Sequence, residues 1–152
     1  EAVASLEHVL LRLGAGRYAV AAEHVVEVVP VPPLTRVPAG PGWLVGVGNW
    51  RGHVLPVVDL RPLLGIEATP LASSGRVVVL RAEDVEVGVV ADQVLGLLEV
   101  PVDHDPAPLT LAAEAADLVV GLADAGAATG PVALLDAGTV LGLARTRPSR
   151  PR

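Results

Sequence analysis

The stretch GVGNWRGHVLPVVDLRPLLG, residues 46–65, decides how the chain is read. Three glycines in its first seven residues mark 46–52 as a loop. Residues 53–58 then read as a strand, because Val side chains suit the pleated surface. Asp59 ends that strand. Its carboxylate can accept the free N–H groups of a single helical turn, and Gly65, six residues on, can close the turn in a left-handed conformation. The same order returns at Pro131, where an apolar run ends at Asp136 and Gly142 follows six residues later. Two strand–cap–turn units suggest two related halves, although any short strand-to-helix joint would look similar.

Working outward, residues 9–13 and 17–21 read as a hairpin about Gly14-Ala15-Gly16. Residues 25–29 form either a third strand or a short helical turn, which periodicity alone does not separate. The proline-rich residues 30–38 read as an extended loop, and 41–45 as one helical turn begun by Pro41. Residues 76–81 and 85–91 form a hairpin about Ala82-Glu83-Asp84, and 94–100 extend its sheet. Residues 101–108 are a further loop. A last hairpin pairs 118–123 with 132–135. Only 109–118 is a helix candidate. Many short strands punctuated by glycine and proline point to small barrels or a sandwich.

Composition narrows the function. Of 152 residues, 51% are hydrophobic and 18% charged, which excludes a disordered chain. No apolar run approaches the roughly 18 residues of a membrane span. A secretory segment is not read at the start, where Glu1, Glu7 and His8 stand, and the missing initiator Met suggests a trimmed chain. Cysteine is absent, so disulfides and thiolate chemistry are excluded. All 11 basic residues are Arg and the net charge is −6, against a nucleic-acid binder, whose affinity comes from neutralising phosphates. Tyr18, Trp43 and Trp50 are the only aromatics. A ligand-binding barrel of the OB type, which stacks bases on exposed aromatics, is therefore disfavoured.

Catalytic signals are weak. His8, His24, His53 and His104 do not fall at zinc-ligand spacings, and Asp103-His104-Asp105 lies among prolines in a loop. No metal or cofactor is expected. Ser5, Ser73, Ser74 and Ser149 lack a nucleophile elbow. Gly46-Val47-Gly48 lacks the third glycine and the following helix of a dinucleotide site. The informative residues are Asn49, Trp50, Arg51 and Gly52. Arg presents a planar fork of donors and is a frequent interface anchor. Asn can hold a loop, and Gly52 can supply positive φ. The bland alternative has Arg51 paired with a nearby carboxylate and Trp50 filling the core.

The chain resembles the CheW-like family of bacterial chemosensory adaptors. Arg12-Leu13-Gly14 with Tyr18-Ala19-Val20 resembles its opening hairpin, and Val25-Val26-Glu27-Val28 its V-x-E-I segment. Residues 34–38 resemble I-T-x-V-P, residues 46–52 G-V-x-N-L-R-G, residues 56–61 P-V-I-D-L-R, and residues 88–94 G-L-L-V-D-x-V. Residues 118–123 and 132–136 resemble its closing strands. The resemblance implies a mainly β fold over residues 1–145, with two five-stranded SH3-like barrels on a shared apolar core, and a disordered tail at 146–152. It implies a cytoplasmic, non-catalytic adaptor, peripheral to membrane receptor arrays. That adaptor would couple chemoreceptor tips to the regulatory domain of the histidine kinase CheA, with other CheW-like domains as further partners. An excised docking domain of a larger chemosensory protein is the alternative. By position, Arg51 matches the partner-binding Arg, with Asn49 and Trp50 in the same loop and Glu27 and Val25 beside the receptor groove. Asp59, Arg61, Gly52 and Asp92 match structural positions. Trp50 departs from the family pattern, which has Leu there.

Overall fold

A computed structural model describes residues 4–101, 105–106 and 117–145. Its strands are β1 (Ser5–Leu13), β2 (Gly16–Ala21), β3 (Val25–Pro30), β4 (Leu44–Trp50), β5 (His53–Val58), β6 (Arg76–Ala82), β7 (Val85–Ala91), β8 (Gln93–Pro101), β9 (Asp105–Pro106), β10 (Val119–Asp124) and β11 (Pro131–Leu135). Among the described residues, a helix, α1, spans Ala137–Arg145.

Two sheets form. The first runs β8-β1-β2-β11-β10-β9, where β9 is a two-residue addition, and the second runs β3-β6-β7-β5-β4. The orders superpose when β1 is matched to β6, β2 to β7, β3 to β8, β4 to β10 and β5 to β11. Each half thus contributes a hairpin to one sheet and sends its next strand to the other: β3 pairs with β6, and β8 with β1. The match extends to detail. β11 runs parallel to β2 and β5 parallel to β7. A register shift interrupts both exchanged pairings, between Val25 and Glu27 and between Leu10 and Leu11. The Asp59 N–H donates to the Trp43 carbonyl (2.7 Å), and the Asp136 N–H to that of Leu118 (2.8 Å). The echo in the sequence is therefore a structural repeat.

Strand alternation distributes the apolar residues into three layers. Leu10, Ala19, Val100, Val132 and Leu134 fill the first barrel. Trp50, Leu55, Val57, Val77, Val79 and Val90 fill the second. The alternate residues, among them Val9, Leu11, Val20, Val58, Val78, Leu80 and Val89, meet in a layer between the barrels. Because β6 faces apolar surroundings on both sides, it reads as the unbroken run Val77-Val78-Val79-Leu80. The units after Asp59 and Asp136 also reach into the middle layer, through Leu60, Leu63 and Leu64 and through Val140 and Leu141.

Several local expectations change. Residues 46–52 are not a loop: β4 runs to Trp50, and the turn is Arg51-Gly52 alone. The glycines serve close approach. A Cβ on Gly46 would stand 2.6 Å from the Thr35 carbonyl oxygen, and one on Gly48 3.0 Å from Leu34 Cδ2. Thr35 and Val47 exchange two backbone hydrogen bonds, so the proline-rich segment lies directly across β4. In place of a helical turn at 41–45, Pro41 to Leu44 close a turn (Leu44 N–H to the Pro41 carbonyl, 3.0 Å) and Leu44 and Val45 already belong to β4. Residues 25–30 are a strand. The turn at Pro62–Leu64 closes on Gly65 at φ 76°, but after Asp136 the chain continues for nine helical residues, and Gly142 lies inside that helix. The helix candidate at 109–118 lies outside the described residues except for its last two, and the tail 146–152 lies wholly outside them.

The shared layer ties the barrels into one cooperative unit. Leu60→Ala, truncating a fully buried side chain there, should cost about 2–5 kcal/mol. Denaturant unfolding followed by tryptophan fluorescence, which reports Trp43 and Trp50 around the second barrel, should still coincide with unfolding followed by far-UV circular dichroism. Separated transitions would show barrels that unfold independently.

Candidate functional site

The β4–β5 turn carries the exposed chemistry. Trp50 pairs with His53, leaving Arg51 and Gly52 as a two-residue turn with φ of 52° and 79°. Two successive positive φ values are the pattern of a type I′ turn, which favours Asn-Gly because Cβ crowds the following carbonyl oxygen at its first position and the short Asn side chain offsets this by local hydrogen bonding. Arg51 occupies that strained position. The Asn49 side chain closes the turn by accepting the Gly52 N–H at 3.2 Å.

Glu27, on the exchanged strand β3, collects this corner. Its Oε1 accepts from Trp50 Nε1 (2.8 Å) and Arg51 Nε (3.1 Å), and Arg51 Nη2 lies 3.1 Å away. Trp50 is 6% exposed and packs inside the second barrel, with its N–H turned to Glu27. The Arg51 guanidinium lies over this ring, 5.2 Å from its centre, and that of Arg81 6.0 Å away. Such contacts contribute about 0.5–1 kcal/mol at exposed sites.

Three residues that the sequence did not single out complete the corner. His53 meets the Trp50 ring edge-on, with centres 6.1 Å apart. Its Nδ1 is 3.2 Å from Glu86 Oε1, and Arg81 donates to Glu86 Oε2 through Nε (2.9 Å). Burial pushes the Glu86 carboxyl up, but hydrogen bonds from Arg81 and His53 outweigh it and hold the group below its ordinary value. Arg81 faces Glu86 across the β6–β7 hairpin, because Ala82 pairs with Val85 and the turn is Glu83-Asp84 alone. Val25, matched to the apolar neighbour of Glu27, is half-buried and packs against the middle layer. The apolar residues that β3 exposes are Val26 and Val28, and Val54 of β5 is more exposed still.

Asp59, Arg61 and Asp92 form a second, buried group. Arg61 is 4% exposed. Its Nε and Nη2 donate to the two oxygens of Asp59 (3.0 and 2.9 Å), and its Nη1 donates to Asp92 Oδ1 (3.2 Å). Asp92 Oδ2 accepts the Gly14 N–H at 2.7 Å. Hydrogen bonds donated to Asp59 raise the Arg61 pKa further against the opposing effect of burial, so the guanidinium stays charged. One planar fork thereby joins the end of β5, the β7–β8 junction and the β1–β2 turn. Among the described residues, no His, Asp and Glu group is arranged to hold a metal, and no helix is long and apolar enough to cross a membrane. His104 lies outside the described residues.

The CheW-like domain family matches residues 7–145 of this chain. The chain belongs to the CheW-like domain family. It is 41% identical over 104 residues to Protein PilI of Pseudomonas aeruginosa, covering 68% of this chain and 58% of PilI. To Protein FrzA of Myxococcus xanthus it is 37% identical over 142 residues, covering 93% of this chain and 88% of FrzA. To the chemotaxis protein CheW of Helicobacter pylori it is 33% identical over 100 residues, covering 65% of this chain and 61% of that protein. The crystal structure of the CheW scaffolding protein from Thermoanaerobacter tengcongensis shares the fold, with a TM-score of 0.74 over 88% of this chain and 90% of the other at 23% identity. The two-barrel architecture is thus that of the CheW-like family.

The lowered Glu86 pKa fixes the sign of a pH effect. Its contribution to stability is present above the ordinary value of 4.5 and is lost as pH falls below it. Glu86→Gln should therefore be less stable than the unsubstituted protein at neutral pH, with the gap narrowing below that value in denaturant titrations. A gap of constant size across that range would contradict the assignment.

Proposed function

We propose that this chain is a non-catalytic chemosensory adaptor that couples chemoreceptor tips to the regulatory domain of a CheA-type histidine kinase. The observation that carries this reading is the state of Arg51. Its side chain is 64% exposed, yet it is held on two sides by Glu27 and Trp50 and sits at a backbone position that disfavours its residue type. A surface cation held in a strained turn suits binding better than stability. Family membership supplies the kind of binding. Several relatives are named chemotaxis proteins, and the structural relative is called a scaffolding protein. The exposed Val26, Val28 and Val54 give apolar area around the charged corner, the usual make-up of a docking surface. Receptor tips are helical, and a helix resting on apolar side chains beside a fixed cation fits this surface. Weak single contacts suffice, because an array multiplies them through effective concentration.

The turn chemistry permits a test that separates binding from folding. Arg51→Ala should weaken binding to a kinase regulatory domain or receptor-tip fragment by about 1–2 kcal/mol, roughly five- to thirtyfold, while lowering stability by no more than about 1 kcal/mol. Arg51→Asn should bind as weakly and yet melt higher, since Asn-Gly suits this turn. Unchanged affinity in calorimetric titrations would remove Arg51 from the interface.

A further inference from the structure

Trp50 does more than fill the second barrel. Its ring is buried among Leu55, Val57, Val77, Val79 and Val90, so the direction of its N–H is set by core packing. That N–H meets Glu27 Oε1, the atom that also receives Arg51 Nε and Nη2. Core packing therefore fixes Trp50, Trp50 fixes Glu27, and Glu27 fixes one edge of the Arg51 guanidinium. The ring beneath the guanidinium limits its remaining motion. The other edge, Nη1 with the outward N–H of Nη2, meets no partner among the described residues.

We propose that Trp50 is a positioning residue that aims the free edge of Arg51 at an Asp or Glu carboxylate on the docking partner. The inference rests on the adaptor reading and adds the chemistry of the contact. A planar two-donor edge matches a carboxylate bidentately. A phosphate dianion is a poorer fit, because Glu27 already places a negative charge on the opposite edge. Pre-ordering a long side chain also removes an ordering cost that binding would otherwise incur.

The test is a double-substitution cycle on the full chain, titrated with a receptor cytoplasmic-tip fragment. Trp50→Phe keeps a core aromatic and removes the N–H. It should weaken binding about threefold to tenfold when residue 51 is Arg and by less than about twofold in an Arg51→Ala background. Glu27→Gln, a change at the surface that leaves the core untouched, should also weaken binding. If Glu27 merely competed with the partner for Arg51, this variant would bind more tightly, and that result would overturn the proposal. Equal losses for Trp50→Phe in both backgrounds would mark Trp50 as purely structural and overturn it too. An unsubstituted chain that binds neither kinase domain nor receptor tip defeats the adaptor reading, and the inference with it. Binding that is unchanged by Trp50→Phe and Glu27→Gln defeats the inference alone.

Discussion

Because β3 leaves its own hairpin to pair with β6, and β8 leaves β7 to pair with β1, neither sheet can be completed by one half of the chain. This exchange constrains everything else. The strands between the barrels must be apolar on both faces, one facing a barrel interior and the other the middle layer. Val and Leu satisfy that demand with little aromatic help, since β-branched residues pack well on a pleated surface. The crossing points then need fixing. At one of them Arg61 joins Asp59 to Asp92, whose other oxygen holds the β1–β2 turn. Removing either partner from such a buried group would leave a charge uncompensated, which is costly. The group therefore specifies how the halves meet more than it adds net stability.

The exchange also builds the exposed corner. Glu27 reaches Trp50 and Arg51 only because β3 has crossed to the sheet that contains β4 and β5. Within one half of the chain, a strand from the first hairpin's path and a turn from the second meet at a single carboxylate oxygen. The structure thus answers whether Trp50 is buried or at the surface. Its ring is in the core, and its N–H belongs to the corner.

Much of this was legible in the sequence, for definable reasons. Hairpins about 14–16 and 82–84 follow from turn residues between alternating runs, and the Asp59 and Asp136 echo reported the repeat itself. The glycines at 46 and 48 misled, because a glycine that admits a neighbouring backbone looks the same as one that makes a turn. The helix after Asp136 was read too short because Gly138 and Gly142 weaken its propensity, while burial of Val140 and Leu141 sustains it. At the corner, Arg51, Asn49 and Glu27 could be named from the family pattern. His53, Arg81 and Glu86 could not be, since their meeting depends on β5 lying beside β7 in parallel, a pairing that no local signal announces.

On the proposed adaptor reading, this chain holds two other proteins together. Sedimentation tests it most directly: vesicles bearing receptor cytoplasmic tips are mixed with the kinase, with and without the chain, and the kinase in the pellet is measured. The account predicts that the kinase pellets with the vesicles in proportion to the chain added. Kinase that distributes identically whether or not the chain is present would contradict it.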